Sequence, residues 1–371
     1  MRIAIFCHSL LSDWNHGNAH FLRGVVAELI DRGHDVQTYE PRDGWSRQNL
    51  LHDGGTDALD SIRARFPWMS GVAHEYDLAT LDLDAVLDGV QLVLVHEWSD
   101  PDLVRRIGER RARDGSFRLL FHDTHHRAAT APKDMARYDL THYDGVLAFG
   151  EVIRRLYLDR GWTERAWTWH EAADTRVFRP HAAEEPAGDL VWIGNWGDDE
   201  RTQELREFML RPARSLRLRG TIHGVRYPWG ARFAIRRSGL RYRGWLPNHL
   251  APAAFARHRV TVHVPRRPYV RALPGIPTIR PFEALACGIP LVSAQWEDAE
   301  GLFRPGQDFL FASDGDEMRR HLRDVTRDPE LAASLRASGL ETIAARHTCA
   351  HRVDELMTVA DEIGVPQEAA A

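Results

Sequence analysis

The feature that most restricts the fold is the run Arg280-Pro281-Phe282-Glu283-Ala284-Leu285-Ala286-Cys287-Gly288-Ile289-Pro290-Leu291-Val292-Ser293. It reads as a short helix that stops at a glycine and feeds directly into a buried strand. Pro281 suits the first helical position, where a missing N–H costs nothing. Gly288 suits the left-handed position just past the helix end, and residues 289–293 supply a short β-type apolar run. Glu283 is an acid two residues after the proline. Backbone amides at a helix start attract anions, so a phosphate or a carboxylate can settle here. The alternative is that Glu283 only complements its own helix dipole.

At 371 residues the chain is too long for one ordinary core, so two domains are expected. Residues 2–7 read as a buried parallel strand. A polar loop with His16, Gly17 and Asn18 follows, then a helix over 21–30 ended by Gly33, then a strand over 36–39. This βαβ unit has an open glycine loop but no G-x-G-x-x-G run, so a dinucleotide fingerprint is absent. Gly17 fits close approach of one phosphate or sugar group, or a plain turn. A helix is expected over 57–66, strands over 90–95, 118–121 and 145–149, and helices over 101–113 and up to 160. Polar residues such as His96-Glu97-Trp98 and His122-Asp123-Thr124-His125-His126-Arg127 follow the strand ends, where open α/β sheets bind ligands. A second α/β set then opens with a strand over 190–194. Strands over 216–223 and 260–264 continue it, and helices over 316–326, 328–345 and 350–363 close the chain. Glu283 follows the fourth or fifth strand of that set.

The charge is unevenly spread. Residues 201–280 hold 18 arginines, no lysine and only two acids, a charge of +16, while the whole chain carries -5. An anionic ligand is the economical explanation, and a solvated basic face is the alternative. No helix-turn-helix, zinc-finger or RNA-binding signature accompanies the charge, so nucleic acid is not the expected partner. Three distant cysteines, Cys7, Cys287 and Cys349, give neither a disulfide framework nor a zinc pattern. A reducing, cytoplasmic location is expected. No apolar run approaches the roughly 18 residues of a transmembrane helix, and the N-terminus reads as a first strand instead of a secretory signal. Peripheral membrane contact stays open, because it needs only a basic amphipathic face. The histidines lack the partner spacing of a zinc site, so no metal is expected. A histidine poised over a substrate hydroxyl fits better. Trp45, Trp68 and Trp98 read as core residues, with stacking on a sugar or lipid as the alternative.

Several segments, in this order and spacing, resemble the GT-B glycosyltransferases. They are Ala173-Asp174-Thr175-Arg176-Val177-Phe178-Arg179-Pro180, Trp192-Ile193-Gly194-Asn195-Trp196, residues 274–288, Phe303-Arg304-Pro305-Gly306-Gln307-Asp308 and His347-Thr348-Cys349-Ala350-His351-Arg352. More narrowly the chain looks like the retaining glycosyltransferase family 4 clan and its CgeB-like (spore maturation protein) branch. The resemblance implies an α/β fold of two Rossmann-like domains facing each other across a cleft. An acceptor-binding domain would span 1–172, a linker 173–188, and a nucleotide-sugar domain 189–345. The last helix and a frayed tail, 346–371, would pack back toward the first domain.

The resemblance also implies a reaction: metal-independent, retaining transfer of a sugar from a nucleoside-diphosphate sugar, expected to be a UDP-sugar, with no further cofactor. The acceptor could be a glycan, small molecule, protein or lipid. Glu283 would hold the ribose hydroxyls, two charge-assisted bonds to one carboxylate. Donor contacts are assigned to Gly17, Asn195, Trp196, Arg271, Gly275, Ile276, Thr278, Arg280 and Glu283. His122, His125, His126, Arg201 and Arg266 are the candidates at the reacting centre. Many clan members carry a second glutamate where this chain has Gly275, which leaves the donor sugar open. The alternatives are a degenerate sugar-binding or scaffold subunit and a GT-B-fold epimerase.

Overall fold

The structure is a computed structural model that describes residues 1–182, 187–197 and 199–366. The expected linker over 173–188 therefore lies partly outside the described residues, and the expected frayed tail lies outside them beyond Pro366. The described chain forms two compact units. One is Met1–Glu171 together with the last helix, Cys349–Glu362; the other is Ala172–Thr348.

The first unit is a seven-stranded sheet of β1 (Arg2–Phe6), β2 (Asp35–Pro41), β3 (Ala73–Tyr76), β4 (Leu92–His96), β5 (Arg118–Asp123), β6 (Gly145–Ala148) and β7 (Ala166–Thr168). Its strand order is β3-β2-β1-β4-β5-β6-β7, and every pairing is parallel. The second unit contains β8 (Gly188–Ile193), β9 (Gly220–His223), β10 (Leu240–Gly244), β11 (His258–His263), β12 (Leu291–Ala294) and β13 (Leu310–Ala312). Its order, β10-β9-β8-β11-β12-β13, repeats the same winding in parallel strands. Both sheets are doubly wound, so each reverses direction beside its first strand, between β1 and β4 or between β8 and β11. Such reversals leave a crevice past the strand ends.

The strands form because they are short, β-branched and covered on both faces. β4, Leu-Val-Leu-Val-His, is buried along its whole length. In the second unit Leu190, Trp192, Ile222, Val260, Val262 and Val292 pack against Leu205, Met209, Met318, Leu322 and Val325 from flanking helices. Asp308, fully buried, ties the turn before β13 to the Pro329–Arg346 helix by accepting from the Arg304 amide at 2.8 Å, Ser338 at 2.6 Å and Thr342 at 2.9 Å. No helix among the described residues is long and apolar enough to cross a membrane.

The opening motif folds as a helix, Ile279–Ala286, closed by a Schellman cap. Gly288, at φ 67°, donates to the Leu285 carbonyl and Ile289 to that of Ala284. Pro281 is the third helical residue, not the first as its type suggests. That costs no more, because the first four helical N–H groups all lack intrahelical acceptors. Other differences are strands the sequence pattern did not reveal, at Ala73–Tyr76, Ala166–Thr168 and Leu240–Gly244. They are short edge or near-edge strands of weak alternation, held by the neighbouring ladder more than by local preference. The stretch read as one strand over 216–223 starts as the end of the Arg211–Leu216 helix and becomes β9 only from Gly220. The Trp45–Arg65 helix begins earlier than expected and breaks at Gly55, where φ is 62°.

Candidate functional site

In the second unit the crevice past β8 and β11 is built around Arg201. Its guanidinium donates to the Val264 carbonyl at 3.0 Å and to the Asn195 carbonyl and Oδ1 at 2.7 Å each. It also lies 5.1 Å from the Trp192 ring centroid. One side chain thus joins the ends of both strands that flank the reversal. The loop after β8 can close this tightly because Gly224, at φ 144°, has no side chain; a Cβ there would sit 2.0 Å from the Gly194 carbonyl oxygen. Burial, then the nearby Arg266 and Arg280 guanidiniums, push Arg201 down to about 9, still charged at neutral pH. Arg266 pairs with Glu200 at 3.2 Å. The site therefore gathers three guanidiniums against two carboxylates, Glu200 and Glu283.

Arg280 and Glu283 share one turn of the Ile279–Ala286 helix and form an ion pair. Glu283 is 0% exposed. A ribose reaches its carboxylate only if the Arg280 head group moves aside, a condition the sequence did not reveal. Thr278 precedes this helix at φ 63°, ψ 174°, a region almost reserved for glycine and worth about 1–3 kcal/mol of strain. A buried chain holds it there. Ser293 Oγ donates to the Ala294 carbonyl at 2.7 Å, so it accepts from His263 Nδ1 at 2.9 Å. His263 Nε2 is left to face Thr278 Oγ1 at 3.5 Å. Burial, then Arg201 and Arg280, lower His263 to about 3, so the ring is a neutral hydrogen-bond relay.

Four more donor candidates sit differently from their sequence reading. Trp196 is a core residue, 3% exposed, packed on Tyr227 with centroids 5.6 Å apart. Ile276 is buried and its amide is spent on Leu273, as that of Gly275 is on Glu297. Those two amides are not available to a phosphate. Arg271 is exposed in the last turn of the Arg267–Ala272 helix. Gly275, at φ 91°, leaves room for the Glu300 side chain, whose Oε1 lies 2.5 Å from where a Cβ would be.

In the first unit, Gly17 is exposed just ahead of the Ala19–Asp31 helix. His122 lies within β5, buried between His96 at 5.2 Å and Trp169 at 4.8 Å. His126 is buried and turned onto Thr130 at 2.7 Å. His125, partly exposed, packs on His126 at 4.0 Å and on Trp98 at 5.2 Å. The structure adds His8, His16 and His96 to them. His8 meets His16 at 4.9 Å and His16 meets His96 at 6.4 Å, both edge to face. Burial lowers His8 to about 4 and His122 to about 3, and puts His16 and His96 well below their usual value. Among the described residues no three His, Cys, Asp or Glu side chains could hold a metal ion.

Beneath the imidazoles lie two buried acids. Glu97 pairs with Arg127, which also covers the Trp98 ring at 4.1 Å. Asp123 accepts from Tyr157 at 2.8 Å and from the His125 amide at 2.9 Å. Burial raises both acids, and Asp123 raises Glu97 further. Neither His16 Nε2 nor His122 Nε2 has a partner among the described residues, and neither has the Asn18 carboxamide. Buried polar atoms are normally hydrogen-bonded, so each of these is a point where a bound group can attach. Trp98 and Trp45 are exposed, 42% and 45%, which corrects their reading as core. His96 was legible as a strand-end group and His16 as a loop residue, but neither was assigned to the reacting centre; for His8 the available signal was its position just past β1.

Residues 201–358 match a family model described as glycosyl transferase-like. No curated protein matches the chain. Among solved structures, sucrose-phosphate synthase from Thermosynechococcus elongatus is 14% identical, with 98% of this chain and 99% of that one covered and a TM-score of 0.63. An alpha-glucosyltransferase in complex with UDP and a 13-mer DNA containing a HMU base is 14% identical over 97% and 99%, with a TM-score of 0.70. A glycosyltransferase from Rickettsia africae is 9% identical over 98% of each chain, with a TM-score of 0.65. The fold is GT-B, with two Rossmann-like halves.

Proposed function

We propose that this chain is a retaining, metal-independent glycosyltransferase of the family 4 clan, in its CgeB-like branch. It takes the sugar from a nucleoside-diphosphate sugar held by the second unit and passes it to an acceptor held by the first. The observation that carries this reading is the grouping of Arg201 and Arg266 with Arg280 of the first turn of the Ile279–Ala286 helix, at the β8/β11 reversal. Fixed guanidiniums and helix amides stabilise a departing diphosphate without metal. The bond from C1 to the phosphate oxygen breaks as the bond from C1 to the acceptor oxygen forms on the same face. The acceptor proton passes to the leaving phosphate. On donor binding, Arg280 leaves Glu283 for the diphosphate, and two ribose hydroxyls replace it on the carboxylate.

The similarity to a UDP-bound structure makes uridine the first base to test. Thermal shift with uridine, guanosine, adenosine and thymidine diphosphates should give the largest rise with UDP; a shift with none of them defeats the reading. Slow hydrolysis of one UDP-sugar, lost in Glu283→Ala and unaffected by chelator, is the expected activity. Donor binding without turnover would mark a sugar-binding subunit, and recovery of an epimerised donor would mark an epimerase. The neighbour's complex holds DNA, and residues 208–282 carry 16 arginines without an acid, so duplex DNA belongs in the acceptor panel beside glycans and lipids.

A further inference from the structure

The Trp229–Arg237 helix and the edge strand β10 carry a surface the donor site does not use. The helix buries Ala231 and Ile235 in the core of its unit. On the opposite face Trp229 is 81% exposed and Phe233 49%. Their rings stack one turn apart, with centroids 5.9 Å apart and planes 11° apart. Helical periodicity sets Arg232 and Arg236 on one side of this aromatic pair and Arg237 on the other. Beside it, Arg232, Arg236, Arg241 and Arg243 line a cavity of about 410 Å³ with Ile235, Leu240 and Tyr242. Among the described residues no carboxylate lines it. The Arg232 guanidinium is held in place by the Tyr227 carbonyl at 3.1 Å and the Tyr242 ring at 5.1 Å.

Arginine on an edge strand is a common guard against strand pairing, and that alone would explain Arg241 and Arg243. It does not explain two large aromatic rings pushed into water on the neighbouring helix. We propose that this helix and β10 form a docking face for an anionic lipid bilayer. Trp229 and Phe233 would enter the headgroup boundary, and the arginine-lined cavity would take lipid phosphates. Charge complementarity calls for an anion, and the ring geometry selects the bilayer over single-stranded nucleic acid. Base stacking needs open ring faces, but Phe233 has Trp229 on one side and Arg237 5.6 Å from its centroid. A bilayer needs only the exposed ring edges. Trp229 follows the loop after β9, and Tyr227 of that loop donates to the Gly194 carbonyl at 2.7 Å, so the docking face adjoins the edge of the sheet that carries Arg201.

Flotation of the full chain with phosphatidylcholine vesicles, with and without phosphatidylglycerol, tests this. Binding should appear only with phosphatidylglycerol and weaken as salt rises. Trp229→Ala with Phe233→Ala should lower it at least about tenfold, and Arg241→Ala with Arg243→Ala about fivefold per arginine. All four side chains are exposed, so melting temperatures should be unchanged; an altered melting curve would shift the test to the single variants Trp229→Ser and Arg243→Ser, read the same way. Equal binding to neutral vesicles, or vesicle binding that survives loss of both aromatics, overturns the proposal. So does displacement by inorganic phosphate alone, which assigns the cavity to a free anion. Aromatic-dependent binding of single-stranded DNA without vesicle binding assigns the face to nucleic acid. A dimer lost in Trp229→Ala assigns it to a second copy of the chain.

Discussion

In the first unit the polar edge past β1, β4 and β5 is lined by imidazoles that burial keeps neutral, whereas the edge past β8 and β11 is lined by guanidiniums that keep their charge. Six strands of the first sheet, β3-β2-β1-β4-β5-β6, follow the same order as the six of the second. The same winding has therefore been given one edge whose groups exchange protons and one whose charge is fixed. The second suits a ligand that is always anionic. The first suits a partner recognised by hydrogen bonds, whose groups can hold or release a proton.

The largest expected effect tests the neutral edge. Below pH 6.5 the unfolded chain takes up protons that folded His8 refuses until about 4 and His122 until about 3, with His16 and His96 shifted the same way. A depressed folded value means stability is present above pH 6.5 and lost as pH falls through that window. His122 alone contributes about 3 kcal/mol between pH 6.5 and pH 4. Glu97 and Asp123 act oppositely: their raised values cost stability as pH climbs toward about 8 and about 6. The lowered imidazoles, these four with His223 and His263 of the second unit, outnumber the raised carboxyls Glu40, Glu97 and Asp123, so denaturant midpoints should fall steeply on the acid side and less so in His122→Phe. An acid limb unchanged by that substitution would mean the ring is protonated in the folded chain.

The charged edge should respond in ligand binding, because Arg201 stays charged through the neutral and acid range; buried His263 beside it adds to the same acid limb in stability. Arg201→Ala is expected to weaken UDP about 100-fold by calorimetry, since it removes a charge-assisted contact and frees two strand ends. Arg201→Lys should restore little, because an ammonium cannot reach Val264 and Asn195 together. Full binding by the lysine variant would reduce Arg201 to a point charge. A smaller effect is expected at Thr278→Gly. Relief of backbone strain less the entropy of glycine leaves about 1 kcal/mol of added stability, measurable by urea unfolding, with weaker UDP binding as the helix start loosens. Smallest of all, Trp98→Ala should cost about 0.5–1 kcal/mol, the worth of its contact with Arg127. If the first edge binds acceptor, the variant's acceptor KM rises while its UDP affinity stays.

Legibility followed the range of the forces involved. The Ile279–Ala286 helix, its glycine stop and the strand beyond it were readable because capping and apolar runs are local. The polar residues after β4 and β5 were readable as strand-end groups for the same reason. Trp196 was misread because a tryptophan's neighbours decide whether it is core or contact, and here Tyr227, 31 positions later in the chain, is that neighbour. Gly275 read as a missing acid; in the fold it is the space into which the Glu300 side chain extends.

What the amino-acid order determined alone is the alternation of strand and helix, the basic character of residues 201–280 and the position of Glu283 behind a helix start. These depend on neighbours within a few turns or on composition. Only the tertiary structure decided that Arg201 spans two strand ends, that Arg280 covers Glu283, and that six histidines share one sheet edge. Each depends on segments distant in the chain or on side-chain orientation. Burial and the field of neighbouring charges set the proton state and access of such groups, and neither quantity exists until the sheets have closed.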